Sequence, residues 1–188
     1  AAHVGFYGPI FDPAFRRAIE GGPLLTFGMV EAIVRDAFPT ASFQATLFAC
    51  ARRMTTPVLY LEATLNHKKE VRRKLATPSL FGDEPPPGEL RAVKVIPNTA
   101  AQRDGMTIPT NMRVPASSVI HRLFAGDPQA GGGCRECLSQ WESRGKPLGA
   151  RSVAVEGRKV GDRVIAIVQP MEERRGAGRE RSIDLFGK

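Results

Sequence analysis

Arg151-Ser152-Val153-Ala154-Val155 and Arg163-Val164-Ile165-Ala166-Ile167-Val168 are the two runs that decide the fold class. Both are rich in β-branched residues, and turn-forming Glu156-Gly157-Arg158-Lys159 and Gly161-Asp162 lie between them. That pattern predicts an antiparallel hairpin near the end of the chain. Upstream, helical periods and strand-like runs follow one another without the regular β-α alternation that a parallel sheet requires. The expectation is an α+β fold: a single compact domain over residues 1–170 with several helices and a small, mostly antiparallel sheet including that hairpin. A charged, Gly/Arg-rich tail follows over residues 171–188.

Working backwards from the hairpin, residues 134–144 and 116–124 read as helices, the second ending at Gly126. Residues 97–115 hold three prolines and little periodicity, and so predict a long loop of the kind that is functional or docked on a partner. Residues 91–96 predict a strand. Residues 77–90, with Pro85-Pro86-Pro87-Gly88, predict a stiff linker within the domain. Val58-Leu59-Tyr60-Leu61-Glu62-Ala63-Thr64-Leu65 is the best early strand, with Asn66 placed to cap a helix that Thr77-Pro78 closes. Residues 41–54 fit a helix by Phe43, Leu47, Cys50 and Met54, although alternate residues also fit a strand; length favours the helix. Thr26 caps a helix running to Phe38, Asp12 caps one over residues 13–20, and residues 4–7 suggest a short opening strand.

Composition narrows the class. A chain of 188 residues with 42% hydrophobic content makes one domain with a real core. No stretch approaches the roughly 18 apolar residues of a membrane span, and Ala1-Ala2-His3-Val4-Gly5 lacks the marks of a signal peptide. Three cysteines, an odd count, argue against a disulfide framework and for a reducing compartment, so cytoplasm is expected.

The net charge of +8 is unevenly placed. Residues 1–66 and 77–133 each balance at five basic and five acidic side chains, whereas residues 67–76 carry five against one and residues 134–188 carry twelve against eight. Within the first block Lys68 and Arg72, like Lys69 and Arg73, lie four apart and form adjacent basic rows on a helix, with Val71 and Leu75 as its docking row. Clustered charge of this kind sets up a local field suited to a polyanion; the competing reading is a solvated Lys/Arg face.

The candidate chemistry is sparse. Cys134 and Cys137 have zinc-ligand spacing, with His121 as a third ligand; the competing reading is two ordinary reduced cysteines at a helix start. Gly131-Gly132-Gly133 before that helix offers converging N–H groups for an anion, or a plain connector. No His-x-Glu, G-x-S-x-G, H-E-x-x-H or P-loop pattern is present. The chain is therefore read as more a binder than an enzyme. The catalysis retained as an alternative is metal-independent RNA cleavage with His67 or His121 moving a proton.

Near the end of the chain, Ser182-Ile183-Asp184-Leu185-Phe186 resembles the short Q-L-S/D-L-F peptide with which many bacterial DNA-processing proteins dock on the sliding clamp, Ser182 standing where that peptide usually has Gln. The resemblance implies a protein partner for residues 182–186; the competing reading is that Leu185 and Phe186 fold back onto the core. Loop 97–115, by its length, is expected as a second docking segment.

Taken together, the sequence leads to a nucleic-acid-binding subunit of a larger nucleoprotein assembly, gripping RNA or DNA by its phosphates largely independently of sequence. Lys68, Lys69, Arg72, Arg73 and Lys74 would make the contacts from a helix. Arg151, Arg158, Lys159 and Arg163 would continue them on the hairpin, and Arg174, Arg175, Arg179 and Arg181 would trail as an arm. The alternative is an assembly or virion-type structural protein ordered by its neighbours.

Overall fold

The computed structural model of the protein describes residues 8–75, 86–130, 133–143 and 145–171. The expected strand over residues 4–7, most of the Pro-rich linker, Gly131, Gly132 and the tail from residue 172 lie outside the described residues.

Six strands form one antiparallel sheet in the order β3-β2-β1-β8-β7-β4: β1 (Leu59–Asn66), β2 (Glu89–Pro97), β3 (Met112–Arg113), β4 (Gly133–Cys137), β7 (Ser152–Val160) and β8 (Arg163–Pro170). A small pair, β5 (Glu142–Ser143) and β6 (Lys146–Pro147), stands beside it. The fold is α+β, and the expected hairpin is β7–β8. Its strands run longer than the sequence suggests: Glu156, Gly157, Arg158 and Lys159 are paired with Ile167, Ala166, Ile165 and Val164, and only Gly161-Asp162 remains as the turn.

Because successive strand side chains alternate faces, the two central strands divide one hydrophobic inventory between two cores. Leu59, Leu61 and Ala63 of β1 join Val164, Ala166 and Val168 of β8 on one face. Tyr60 joins Ile165 and Ile167 on the other. The second face is covered by α1 (Gly8–Ile19), α2 (Phe27–Ala37) and α3 (Phe43–Arg53), which contribute Phe11, Phe15, Phe27, Val30, Ile33 and Leu47. The first is covered by α5 (Thr99–Arg103), α6 (Val119–Ala125) and the irregular segments around Trp141. The loop expected over residues 97–115 thus owes its length to packing: Ala101, Met106, Ile108, Met112 and Val114 are all buried in that core. Among the described residues no helix is long and apolar enough to cross a membrane.

Helix starts follow side-chain capping. Thr26 Oγ1 accepts from the Met29 N–H and Ser42 Oγ from the Ala45 N–H, each at 3.2 Å, which settles residues 41–54 as a helix. Two strand carboxylates add to this from across the layers. Glu156 Oε2 accepts from the Phe27 N–H at 3.0 Å, and Glu136 Oε1 from the Val119 N–H at 2.7 Å and the Ser118 hydroxyl at 3.1 Å.

Several expectations are corrected. Asp12 lies inside α1, because Phe11, Ala14 and Phe15 are buried with helical spacing and draw the helix back to Gly8; its carboxylate instead accepts from Arg53 Nε at 2.6 Å. Asn66 does not cap the basic helix, α4 (Lys69–Leu75): its Oδ1 accepts from the His67 N–H at 2.9 Å, and the helix starts beyond that turn. Residues 134–137 form strand β4 rather than a helix, since β7 offers Ser152, Val153, Ala154 and Val155 as ladder partners.

Candidate nucleic-acid interface

The basic helix α4 emerges from β1 through a fixed corner. Asn111, held at φ 66°, donates its backbone N–H to the Ala92 carbonyl at 2.7 Å and its side-chain amide to the His67 carbonyl at 3.3 Å. Its own carbonyl accepts from Arg91 Nη1 at 2.8 Å. Asn tolerates this left-handed conformation better than other non-glycine residues. The buried Arg91 also pairs with Glu89, as does Arg113 at 3.6 Å. Asn111 therefore ties the approach to α4 to the outer edge of the sheet.

The corner opens into a cleft of about 920 Å³. Lys68, just before α4, and Lys69 and Arg72 of α4 line it with Arg91, Arg113 and the carboxylates Glu70, Glu89 and Glu142. The ammonium and guanidinium groups of Lys68, Lys69 and Arg72 are exposed and make no ion pair among the described residues. Burial would raise the Glu89 carboxyl, but the hydrogen bond from Arg91 and the charges of Arg91, Arg113 and Lys68 hold it below the usual carboxylate range. Arg73 and Lys74 are on the same exposed helix, outside the cleft lining. Val71 is half-buried and belongs to neither core.

The hairpin cations are disposed differently. Arg151 pairs with Asp104, and Arg158 Nη2 donates to Glu31 Oε1 at 2.5 Å while its guanidinium lies 4.8 Å from the Phe43 ring centre. Lys159 Nζ donates to the Phe124 carbonyl at 2.7 Å, and Arg163 Nη1 to Glu62 Oε2 at 3.3 Å. All four side chains therefore have partners inside the fold, which sequence spacing could not reveal because the carboxylates come from α2, β1 and the segment after α5. The structure does not bring them to α4.

Arg163 belongs to a buried network. Glu62 Oε1 accepts from the Tyr60 hydroxyl at 2.7 Å, Gln44 Nε2 at 2.9 Å and Lys94 Nζ at 3.1 Å. Burial by itself would raise the Glu62 carboxyl; the hydrogen bonds from Tyr60 and Lys94 and the charges of Lys94 and Arg163 outweigh it and hold the group below its ordinary value. Tyr60 moves the opposite way, raised by burial and by its bond to that carboxylate.

Cys134 and Cys137 both lie on strand β4. Positions three apart on β4 fall on opposite faces. Cys134 packs toward the core that contains Trp141, where its sulfur accepts from Arg122 Nη2 at 3.6 Å, while the Cys137 sulfur meets the Ser139 hydroxyl at 3.0 Å. Among the described residues, no group of three or more His, Cys, Asp and Glu side chains is gathered as a metal site would need. His121 is half-buried on α6 and is not gathered with the two thiols. Cys50 is buried in the other core, and burial pushes its thiol up to about 12. Gly133 starts a strand, so no helix N-terminus stands behind the glycines as an anion site would require.

A second groove, of about 730 Å³, lies between α3 and the far end of β2. Phe48, Arg52, Tyr60, Lys94, Ile96 and Gln102 are among its lining residues, none of which is a carboxylate. Sequence reasoning missed this groove and the residues Arg91, Asn111 and Arg113. Comparison with protein-family models and with curated proteins finds no match. The fold thus defines an α+β domain with helices on both faces of a six-stranded antiparallel sheet.

Proposed function

We propose that the protein binds the sugar-phosphate backbone of a nucleic acid, largely independently of base sequence, as a subunit of a larger nucleoprotein assembly. The observation that carries this reading is the shared cleft of about 920 Å³: Lys68, Lys69 and Arg72 line it with Arg91 and Arg113, and among the described residues those first three make no ion pair. Unpaired cations in a concave wall attract a polyanion without first having to give up an internal ion pair. The contact set is therefore Lys68, Lys69 and Arg72, and leaves out the paired Arg113, Arg151, Arg158 and Arg163 and the hydrogen-bonded Lys159.

Salt dependence tests the assignment. Each phosphate neutralised contributes a slope of about −0.7 in log affinity against log salt on a single strand. Replacing Lys68, Lys69 and Arg72 together by Ala should therefore flatten the slope by about 2 in fluorescence anisotropy titrations with a labelled oligonucleotide. Arg158→Ala should leave the slope in place. An unchanged slope in the triple variant would remove α4 from the interface.

A further inference from the structure

The cleft at α4 and the groove beneath α3 flank the same strand. Arg91 lines the first and Lys94 the second, three positions apart on β2 and roughly 10 Å along the strand. In a regular strand two such residues would face opposite ways. Here β2 carries an extra residue: Lys94 pairs with Glu62 but Ala92 pairs with Ala63, leaving Val93 without a counterpart. The bulge returns Lys94 to the face that Arg91 occupies, opposite Glu62 and Thr64 respectively. Bulges commonly re-aim a side chain next to a functional site.

The chemistry of the groove differs from that of the cleft. Its floor is aromatic, with the half-buried Phe48 ring 4.3 Å from the Tyr60 ring and Lys94 Nζ 5.2 Å from the Phe48 centre. Arg52 on its rim is exposed and has no hydrogen bond or ion pair among the described residues. Glu62 is shared by Lys94 and Arg163, so one buried carboxylate faces two cations and a positive surplus remains at the groove. A flat apolar ring beside a cation, with no lining carboxylate, suits an anion that carries an aromatic group.

Building on the backbone reading above, we infer that the preferred ligand is single-stranded nucleic acid. Its backbone lies in the α4 cleft and continues along the bulged β2 into the α3 groove, where one base stacks on Phe48 and its phosphate meets Arg52. A duplex keeps its bases stacked on one another and has none to offer Phe48, whereas a single strand presents every base in turn. Glu62 acts here as a positioning residue, holding Lys94 over the two rings.

The test uses the full chain and four probes: an oligothymidylate of about 12 nucleotides, an abasic oligomer of the same length, a matching duplex, and polyglutamate of equal charge. Oligothymidylate should bind about tenfold tighter than the abasic oligomer, the effect of one stacked base. Phe48→Leu, which keeps an apolar side chain against Tyr60, should abolish that ratio. Arg52→Ala, on the exposed rim, should weaken oligothymidylate and serves as the second variant if Phe48→Leu does not fold. Equal affinity for thymidylate and abasic strands, an unchanged ratio in Phe48→Leu, or equal competition by polyglutamate would overturn the proposal. The two readings separate cleanly. Loss of the base-dependent ratio with an intact effect of Lys69→Ala and Arg72→Ala refutes only the groove; a persisting ratio with no effect of those two refutes only the cleft.

Discussion

Replacing Asn98 by Ala should cost the protein about 4 kcal/mol, because this one side chain joins three elements that wall the α3 groove. Its Oδ1 accepts from the Val58 N–H at 3.1 Å and, as N-cap of α5, from the Ala101 N–H at 2.8 Å. Its amide donates to the carbonyls of Ala51, Met54 and Thr56 at 3.1, 3.2 and 2.9 Å. Loss of the cap costs about 1 kcal/mol. The Val58 N–H, on a residue with 0% exposure, is left without an acceptor at about 1–3 kcal/mol. The carbonyls at the end of α3 add about 1 kcal/mol more. In urea unfolding, with a slope of about 2 kcal/mol/M, the midpoint should fall by roughly 2 M with the slope unchanged. Asn98→Asp sharpens the test, since it keeps both accepting contacts but sets a carboxylate against three carbonyls. Burial and that repulsion raise its pKa in the folded state, so the native form binds the extra proton and the variant regains stability as pH falls. A midpoint shift below roughly 0.5 M for Asn98→Ala, or an Asp variant insensitive to acid, would mean that the side chain does not hold these elements together.

Two further substitutions probe other joints of the fold. A Cβ added at Gly157 would sit 2.7 Å from Leu123 Cδ1, where β7 meets α6. Gly157→Ala should cost about 1 kcal/mol, a small amount for overpacking because the atom it meets can swing away. Calorimetry should show no cost beyond that of Leu123→Ala alone when the two are combined; an additive double variant would refute the clash. At Glu136, burial raises the carboxyl above its usual value, partly offset by the Val119 N–H and the Ser118 hydroxyl. The native state therefore holds a proton that the unfolded chain releases, and stability falls as pH rises from the ordinary carboxylate value through the raised one. Glu136→Gln keeps an accepting oxygen for both donors and should flatten that decline. Glu62, held low, works in the opposite sense: its contribution is present above the ordinary value and fades as acid protonates it. Unfolding midpoints across the acid range check both signs, and a decline unchanged in Glu136→Gln would assign it elsewhere.

The elements that were legible in the sequence are those whose cause is local. Thr26 supplies its own cap, β1 follows from the apolar run Val58-Leu59-Tyr60-Leu61, and the hairpin signals itself by two strands about a Gly-Asp turn. Where tertiary contacts decide, local reading fails. Residues 134–137 carry no strong strand propensity, and they extend because the free edge of β7 accepts them. Residues 97–115 show no period because their apolar side chains serve one face of the sheet from a bent path, with α5 and β3 as short stops along it. Asp12-Pro13 looks like a helix start, yet Phe11 is fully buried one residue earlier, and burying that ring outweighs the missing N–H of an exposed Pro13.

The same distinction explains the basic surface. Charge density along the chain located the α4 region, where Lys68, Lys69 and Arg72 make no ion pair among the described residues. It could not separate these from Arg151, Arg158 and Arg163, whose carboxylate partners lie between 47 and 127 residues away in sequence. An ion pair formed at that separation exists only once the sheet and α2 have been assembled. A cation already satisfied in this way must lose its partner before it can contact a phosphate, whereas Lys68, Lys69 and Arg72 have no ion pair to break among the described residues. On the proposed reading the interface is narrowed to one side of β2, the strand whose bulge also brings Lys94 round to it. The bulge at Val93, opposite Glu62 and Ala63, thus lets two residues three positions apart share a face. Deleting Val93 would remove the bulge and leave Lys94 two positions after Arg91, still opposite Glu62 and Thr64, so the two cations would keep a common face.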